Sequence, residues 1–215
     1  MRNLALMLLA VVGCTSTPNP NDGSDPGTPV SLTGNWQGTA SNDIVQSFVF
    51  ATDESFQFGA VGDAGFSPLM TGTYTATTTK LTLDLEMVAD EDGPLMPTSG
   101  ELITQPYVTS SRMCGSAFYP SGAPDGVVAT WATTTTMADA DGNPTNVETE
   151  TIQLSADGTE VHTSSDGVDN GTYSLSGDTV TLVVDNGDGV QSVEAFDLVD
   201  GKVLCNPVYT LFVQL

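Results

Sequence analysis

The groups able to do chemistry are few in kind and uneven in number: three cysteines, one histidine, and 27 acids against four basic residues. His162 sits in Glu160-Val161-His162-Thr163, a strand-like alternation. No Gly-x-Ser-x-Gly, phosphate loop or His/Cys ligand cluster accompanies it in the sequence. A lone histidine of this kind reads as a surface or rim residue, so no catalytic constellation is expected. Carboxylates are too plentiful for one pair to stand out as acid and base. The densest group that suits a hard cation is Asp139-Ala140-Asp141-Gly142-Asn143-Pro144, followed by Glu148 and Glu150. Asp139, Asp141, Asn143 and Glu150 fall at positions 1, 3, 5 and 12 of an EF-hand frame, which would take Ca²⁺. Position 6 of that frame requires a glycine for its sharp turn, and Pro144 stands there. An acidic hairpin loop is the plainer reading, with Asp139, Asp141 and Glu150 kept as weak Ca²⁺ candidates. No cofactor is expected.

The elements that carry these groups are strands. Ser47-Phe48-Val49-Phe50, Ser55-Phe56-Gln57-Phe58, Leu81-Thr82-Leu83-Asp84-Leu85 and Val180-Thr181-Leu182 alternate with period two. Asp-Gly recurs between such runs, at Asp125-Gly126, Asp141-Gly142, Asp157-Gly158, Asp166-Gly167 and Asp200-Gly201 among others. That dipeptide accepts positive φ and favours tight hairpins, so the pattern predicts an all-β antiparallel meander with no helix longer than a turn. Glu148, Glu150 and Ile152 then share one face of a strand.

The meander reads as two tandem copies, 33–122 and 126–215. Gly34-Asn35-Trp36, Gly72-Thr73-Tyr74, Lys80-Leu81-Thr82-Leu83 and Met113-Cys114 recur in order as Ala129-Thr130-Trp131, Gly171-Thr172-Tyr173, Thr179-Val180-Thr181-Leu182 and Leu204-Cys205. Pro120 to Asp125 makes the joint. Two barrels, one per copy, and one shared barrel both satisfy this pattern.

The N-terminus carries an address. A short basic start is followed by Leu4 to Val12, an apolar run too short to span a bilayer, and then Gly13-Cys14. Val11-Val12-Gly13-Cys14 resembles the lipobox of bacterial lipoproteins. The resemblance implies cleavage of residues 1–13, a diacylglycerol on Cys14 and anchoring in the cell envelope. Thr15 at the next position implies the outer membrane. Residues 14–32, rich in Thr, Ser, Asn, Asp, Gly and Pro, then read as a disordered tether. With Cys14 lipidated, Cys114 and Cys205 remain, and in an exported protein a disulfide is the default for such a pair. A Cys/Cys metal site lacks further ligands, since His162 is the sole histidine. Beyond the signal, Lys80, Arg112 and Lys202 face 27 acids, a balance that repels nucleic acid and anionic headgroups.

Gly34-x-Trp36 at the head of a first strand, the hairpin meander and the later Gly72-Thr73-Tyr74 are similar to small bacterial lipocalin-like lipoproteins. The resemblance implies that Trp36, and more loosely Trp131, plugs the closed end of a barrel. It also implies that the open end admits a small apolar ligand. Larger members of that family carry an arginine on the last strand, and Tyr209 to Leu215 has none. The expected role is non-catalytic, either binding or structural, exercised from a lipid anchor. The alternatives are a carrier of an apolar ligand lined by Phe48, Phe50, Phe56 and Phe58, a Ca²⁺-assisted surface module, and contact with another envelope protein.

Overall fold

Alternating Thr, Val and Phe give eighteen strands and no helix among the described residues, and every ladder is antiparallel. The computed structural model describes residues 27–39, 45–89, 94–109, 111–185, 191–206 and 211–214. Cys14, the expected signal sequence and most of the expected tether lie outside the described residues, as do the turn sequences at 90–93 and 186–190.

The first half is a meander of β1 (Gly34–Thr39), β2 (Val45–Phe50), β3 (Ser55–Gly62), β4 (Gly65–Ala76) and β5 (Leu81–Ala89), each paired with the next. β5 then pairs with both β6 (Leu95–Pro97) and β7 (Glu101–Thr104), while β8 (Tyr107–Val108) pairs with β9 (Arg112–Cys114). After β10 (Tyr119–Pro120) the second half runs through β11 (Ala129–Ala138), β12 (Pro144–Leu154), β13 (Thr159–Ser164) and β14 (Gly167–Ser176). It continues through β15 (Thr179–Asp185), β16 (Gln191–Val199) and β17 (Val203–Cys205), again pairing in sequence. β7 also pairs with the far end of β11, which joins the halves into one sheet that nearly closes. Asp200 and Gly201 both have positive φ, 53° and 67°, the two-residue geometry that suits the right-handed twist of β16 and β17.

The closing strands come from the opposite half. β18 (Leu211–Gln214) follows β17 in the chain but lies between β1 and β9, opposing Trp36 with Gln214 and Cys114 with Leu211. The segment Phe118 to Pro120 follows β9 but lies in the second half. Phe118 and Leu204 exchange both backbone hydrogen bonds, at 2.9 and 3.0 Å, and Pro120 opposes Trp131. Each half is therefore closed by the strand that follows the other half's cysteine. The pairings cross the expected boundary at 122–126 in both directions.

Two cores fill the sheet. The first gathers Leu32, Trp36, Phe48, Phe50, Phe56, Phe58, Tyr74 and, from β18, Phe212. The second gathers Phe118, Trp131, Ile152, Leu154, Val180, Leu182 and Phe196. A third, smaller cluster where the strands cross holds Cys114, Ala117, Val199, Val203 and Cys205. The expected disulfide is there: Cys114 and Cys205 are bonded, with Cα atoms 5.9 Å apart and a sequence separation of 91. The last residues of the segment read as a tether touch the folded part. Val30 donates to the Ala76 carbonyl at 3.1 Å, Pro29 bridges to Thr77, and Leu32 is fully buried. One leucine among small polar residues is enough, because burying it removes an apolar side chain from water.

Local geometry recurs between the halves. The Trp36 indole donates to the carbonyl four residues earlier, Leu32, at 2.6 Å, and Trp131 does the same to Val127 at 2.9 Å. Both indoles are buried polar groups that gain a partner in this way. Asp53 accepts from the Ser55 backbone and hydroxyl, and Asp157 from those of Thr159. Tyr74 N donates to the Glu54 carbonyl at 2.8 Å and Tyr173 N to that of Gly158 at 2.9 Å.

Candidate functional site

Cross-strand partners point to the same side of a sheet, so register decides which side chains enter each core. In the first half Phe50 opposes Phe56, Phe48 opposes Phe58, and Gln46 opposes Ala60. Their rings fill the interior against one another: Phe48 to Phe58 at 4.5 Å, Phe50 to Tyr74 at 4.6 Å, and Phe48 to Phe212 at 5.1 Å between centroids. Dispersion and area burial both favour this close fill.

The second half uses the same lattice with different contents. Leu154 opposes Glu160, which opposes Gly171. Ile152 opposes His162, which opposes Asp169. Glu160 and His162 therefore point inward beside Leu154 and Ile152. Glu150, two residues before Ile152, shares that face, and Glu194 opposes the buried Leu182. The interior that holds Phe56 and Phe58 in one half thus holds a carboxyl and an imidazole in the other.

His162 is not the rim residue its isolation suggested: only 12 % of its side chain is exposed. Its Nε2 lies 2.5 Å from Glu150 Oε1. That hydrogen bond holds the imidazole above its ordinary value against the opposing effect of burial, and the charges of Glu150, Glu194 and Glu160 add to it. Glu160 is 1 % exposed, and among the described residues neither carboxyl oxygen has a hydrogen-bond partner or reaches water. Burial pushes its carboxyl up, His162 draws it partly back, and Asp169 and Glu194 push it further up. Gly171 makes the fit possible. A Cβ there would sit 2.1 Å from the Val183 carbonyl oxygen and 2.7 Å from Glu160 Oε1. Gly72 occupies the corresponding corner of the first half, against the Asp84 carbonyl and the Phe56 ring.

The sequence-derived candidates are distributed differently. Asp139 closes its own turn, accepting from the backbone of Asp141 at 3.0 Å and of Asn143 at 2.9 Å and from the Asn143 amide at 3.2 Å. These bonds, Asn143's first, hold its carboxyl below the usual value. Glu150 lies well along β12 opposite Thr133 and is engaged by His162. The structure thus does not bring Asp139, Asp141 and Glu150 together. From Pro144 to Glu150 the extended strand covers roughly 20 Å, at about 3.3 Å per residue. Among the described residues no group of three His, Cys, Asp or Glu could hold a metal ion. Trp36 and Trp131 are both core residues, 2 % and 0 % exposed.

A separate open cleft of about 500 Å³ lies where β9 approaches the β15–β16 end. It is lined by Arg112, Asp178, Asp197, Leu198, Asp200 and Gly201, and Tyr107 donates to Asp200 at 2.9 Å beside it. Its walls are polar and charged, unlike the apolar lining a hydrophobic ligand requires. No family model, curated protein or solved structure matches the chain.

Proposed function

We propose that the chain is a lipid-anchored cell-envelope protein, acylated on Cys14, whose folded part has a non-catalytic binding or structural role. The observation that carries this reading is the filled first interior. Phe48, Phe50, Phe56 and Phe58 pack on one another and on Phe212, which supports a core role for these rings over the lining of an apolar ligand chamber. Two cores braced by exchanged closing strands and a buried disulfide suit a rigid body held at a surface. The lipobox-like Val11-Val12-Gly13-Cys14 supports the address, outer membrane included. The acidic balance favours a body that stands off anionic headgroups. We also infer that the halves are copies of one unit. The matched indole bonds, Asp turns, Gly72/Gly171 corners and cysteines support that inference.

The anchor is tested by detergent-phase partition and intact mass of the mature chain expressed in a bacterial host. The expected result is a chain beginning at Cys14, carrying acyl mass and entering the detergent phase, with Cys14→Ala wholly aqueous. An unmodified wild-type chain in the aqueous phase would contradict the proposal. Each buried methylene contributes about 0.8 kcal/mol, so more than one acyl chain is needed for firm retention.

A further inference from the structure

The second core contains an anomaly that the structural role does not use. Glu160 is a carboxyl buried to 1 % exposure, with no partner for either oxygen among the described residues. An ionised carboxylate in such a place is far costlier than a neutral one, so the group is stable there only when it carries a proton. Every neighbouring element makes ionisation harder or competes for relief. On β13 itself stands His162, already engaged by Glu150 of β12. Glu148 follows on the same face of β12, at the place opposite Thr135. β14 presents Asp169 opposite His162, and Tyr173, whose hydroxyl is tied to the Ser155 carbonyl. β16 presents Glu194, while β15 presents the apolar Leu182 and Val184. One imidazolium faces several carboxyls and can neutralise only one at a time. The first half, with Phe56 and Phe58 in the corresponding interior positions, has no such demand.

We propose that Glu160 is a proton-binding site, and that its proton, with the one His162 shares with Glu150, holds β13 against β12 and β14. Loss of the Glu160 proton to solvent leaves a carboxylate in the core. The relief available is separation of β13, which lets water reach it.

The sign follows from the two groups. Both are raised in the folded chain. Glu160 therefore contributes fully below its ordinary value of 4.5, and that contribution is lost as pH rises through its folded value. His162 contributes fully below 6.5 and loses its contribution as pH rises through its own raised value. The second half is thus held most firmly below pH 4.5 and loosens as pH rises through the two folded values.

The test uses the full-length chain in detergent micelles, followed by carboxyl carbon shifts and by amide exchange corrected for the intrinsic pH dependence. The Glu160 carboxyl is expected to titrate above 4.5; a midpoint at the ordinary value overturns the proposal. Protection of the β13 amides is expected to fall about tenfold per pH unit from 4.5 up to the Glu160 midpoint. Glu160→Gln is expected to remove the part of that loss lying below pH 6.5, leaving the part set by His162. A Glu160→Gln chain with the wild-type profile overturns the proposal, as does a Glu160 resonance that moves on adding Ca²⁺ at fixed pH. Should Glu160→Gln fail to fold, the wild-type carboxyl titration decides alone.

Discussion

A chain ending at Asn206 is expected to lose the first half of the fold while the second half persists. The missing residues include β18, which supplies the ladder between β1 and β9 and places Phe212 in the first core. Without it β1 and β9 become open edges around an apolar interior, an arrangement that sheets avoid. The point version is Phe212→Ala. Phe212 is 3 % exposed and meets the Phe48 ring edge-on at 5.1 Å. Truncating a buried phenylalanine costs about 3–5 kcal/mol. A domain commonly has about 5–15 kcal/mol in total, so roughly a fifth or more of its stability would go. Amide exchange would report the loss in β1, β2 and β9, with β12 to β15 retained. Loss concentrated around Trp131 would mean that β18 closes its own half.

Reducing the Cys114–Cys205 bond, or replacing both cysteines by serine, is expected to weaken both halves together. The bond spans 91 residues, and in the chain-entropy account a loop of that length contributes about 4.6 kcal/mol. Its sulfurs sit in the small cluster with Ala117, Val199 and Val203, at the point from which both closing strands leave. The effect should therefore reach Trp36 and Trp131 alike. Urea unfolding of single-tryptophan variants, with and without reductant, measures it. Equal midpoints in the two conditions would remove the disulfide from the account. A shift at one tryptophan alone would remove the cross-brace.

Much of this architecture was legible in the chain. Phe48, Phe50, Phe56 and Phe58 alternate cleanly, and their strands and inward faces followed directly. Asp157-Gly158 and Asp200-Gly201 marked turns because positive φ suits few other pairs. The cysteine pair followed from counting. The exchange of closing strands was not legible. Tyr119-Pro120 and Leu211 to Gln214 are too short for a periodic signal, and their partners lie far away in sequence. His162 was misplaced for a different reason. Glu160-Val161-His162-Thr163 alternates with its polar residues inward, so period alone assigned the wrong face. Aligning it on Ser55-Phe56-Gln57-Phe58, where the inward positions are plainly apolar, is the signal that would have turned His162 and Glu160 into the core. Leu32 was similarly lost among the polar residues around it.

The most direct test is the set of cross-strand backbone contacts made by the two closing strands in the oxidised full-length chain, read as nuclear Overhauser effects. Reciprocal closure predicts contacts of Gln214 with Trp36 and of Leu211 with Cys114, together with contacts of Phe118 with Leu204 and of Pro120 with Trp131. Contacts of β18 with β11 and β17, and of Tyr119-Pro120 with β1 and β9, would mean that each half closes on itself, and would contradict the account.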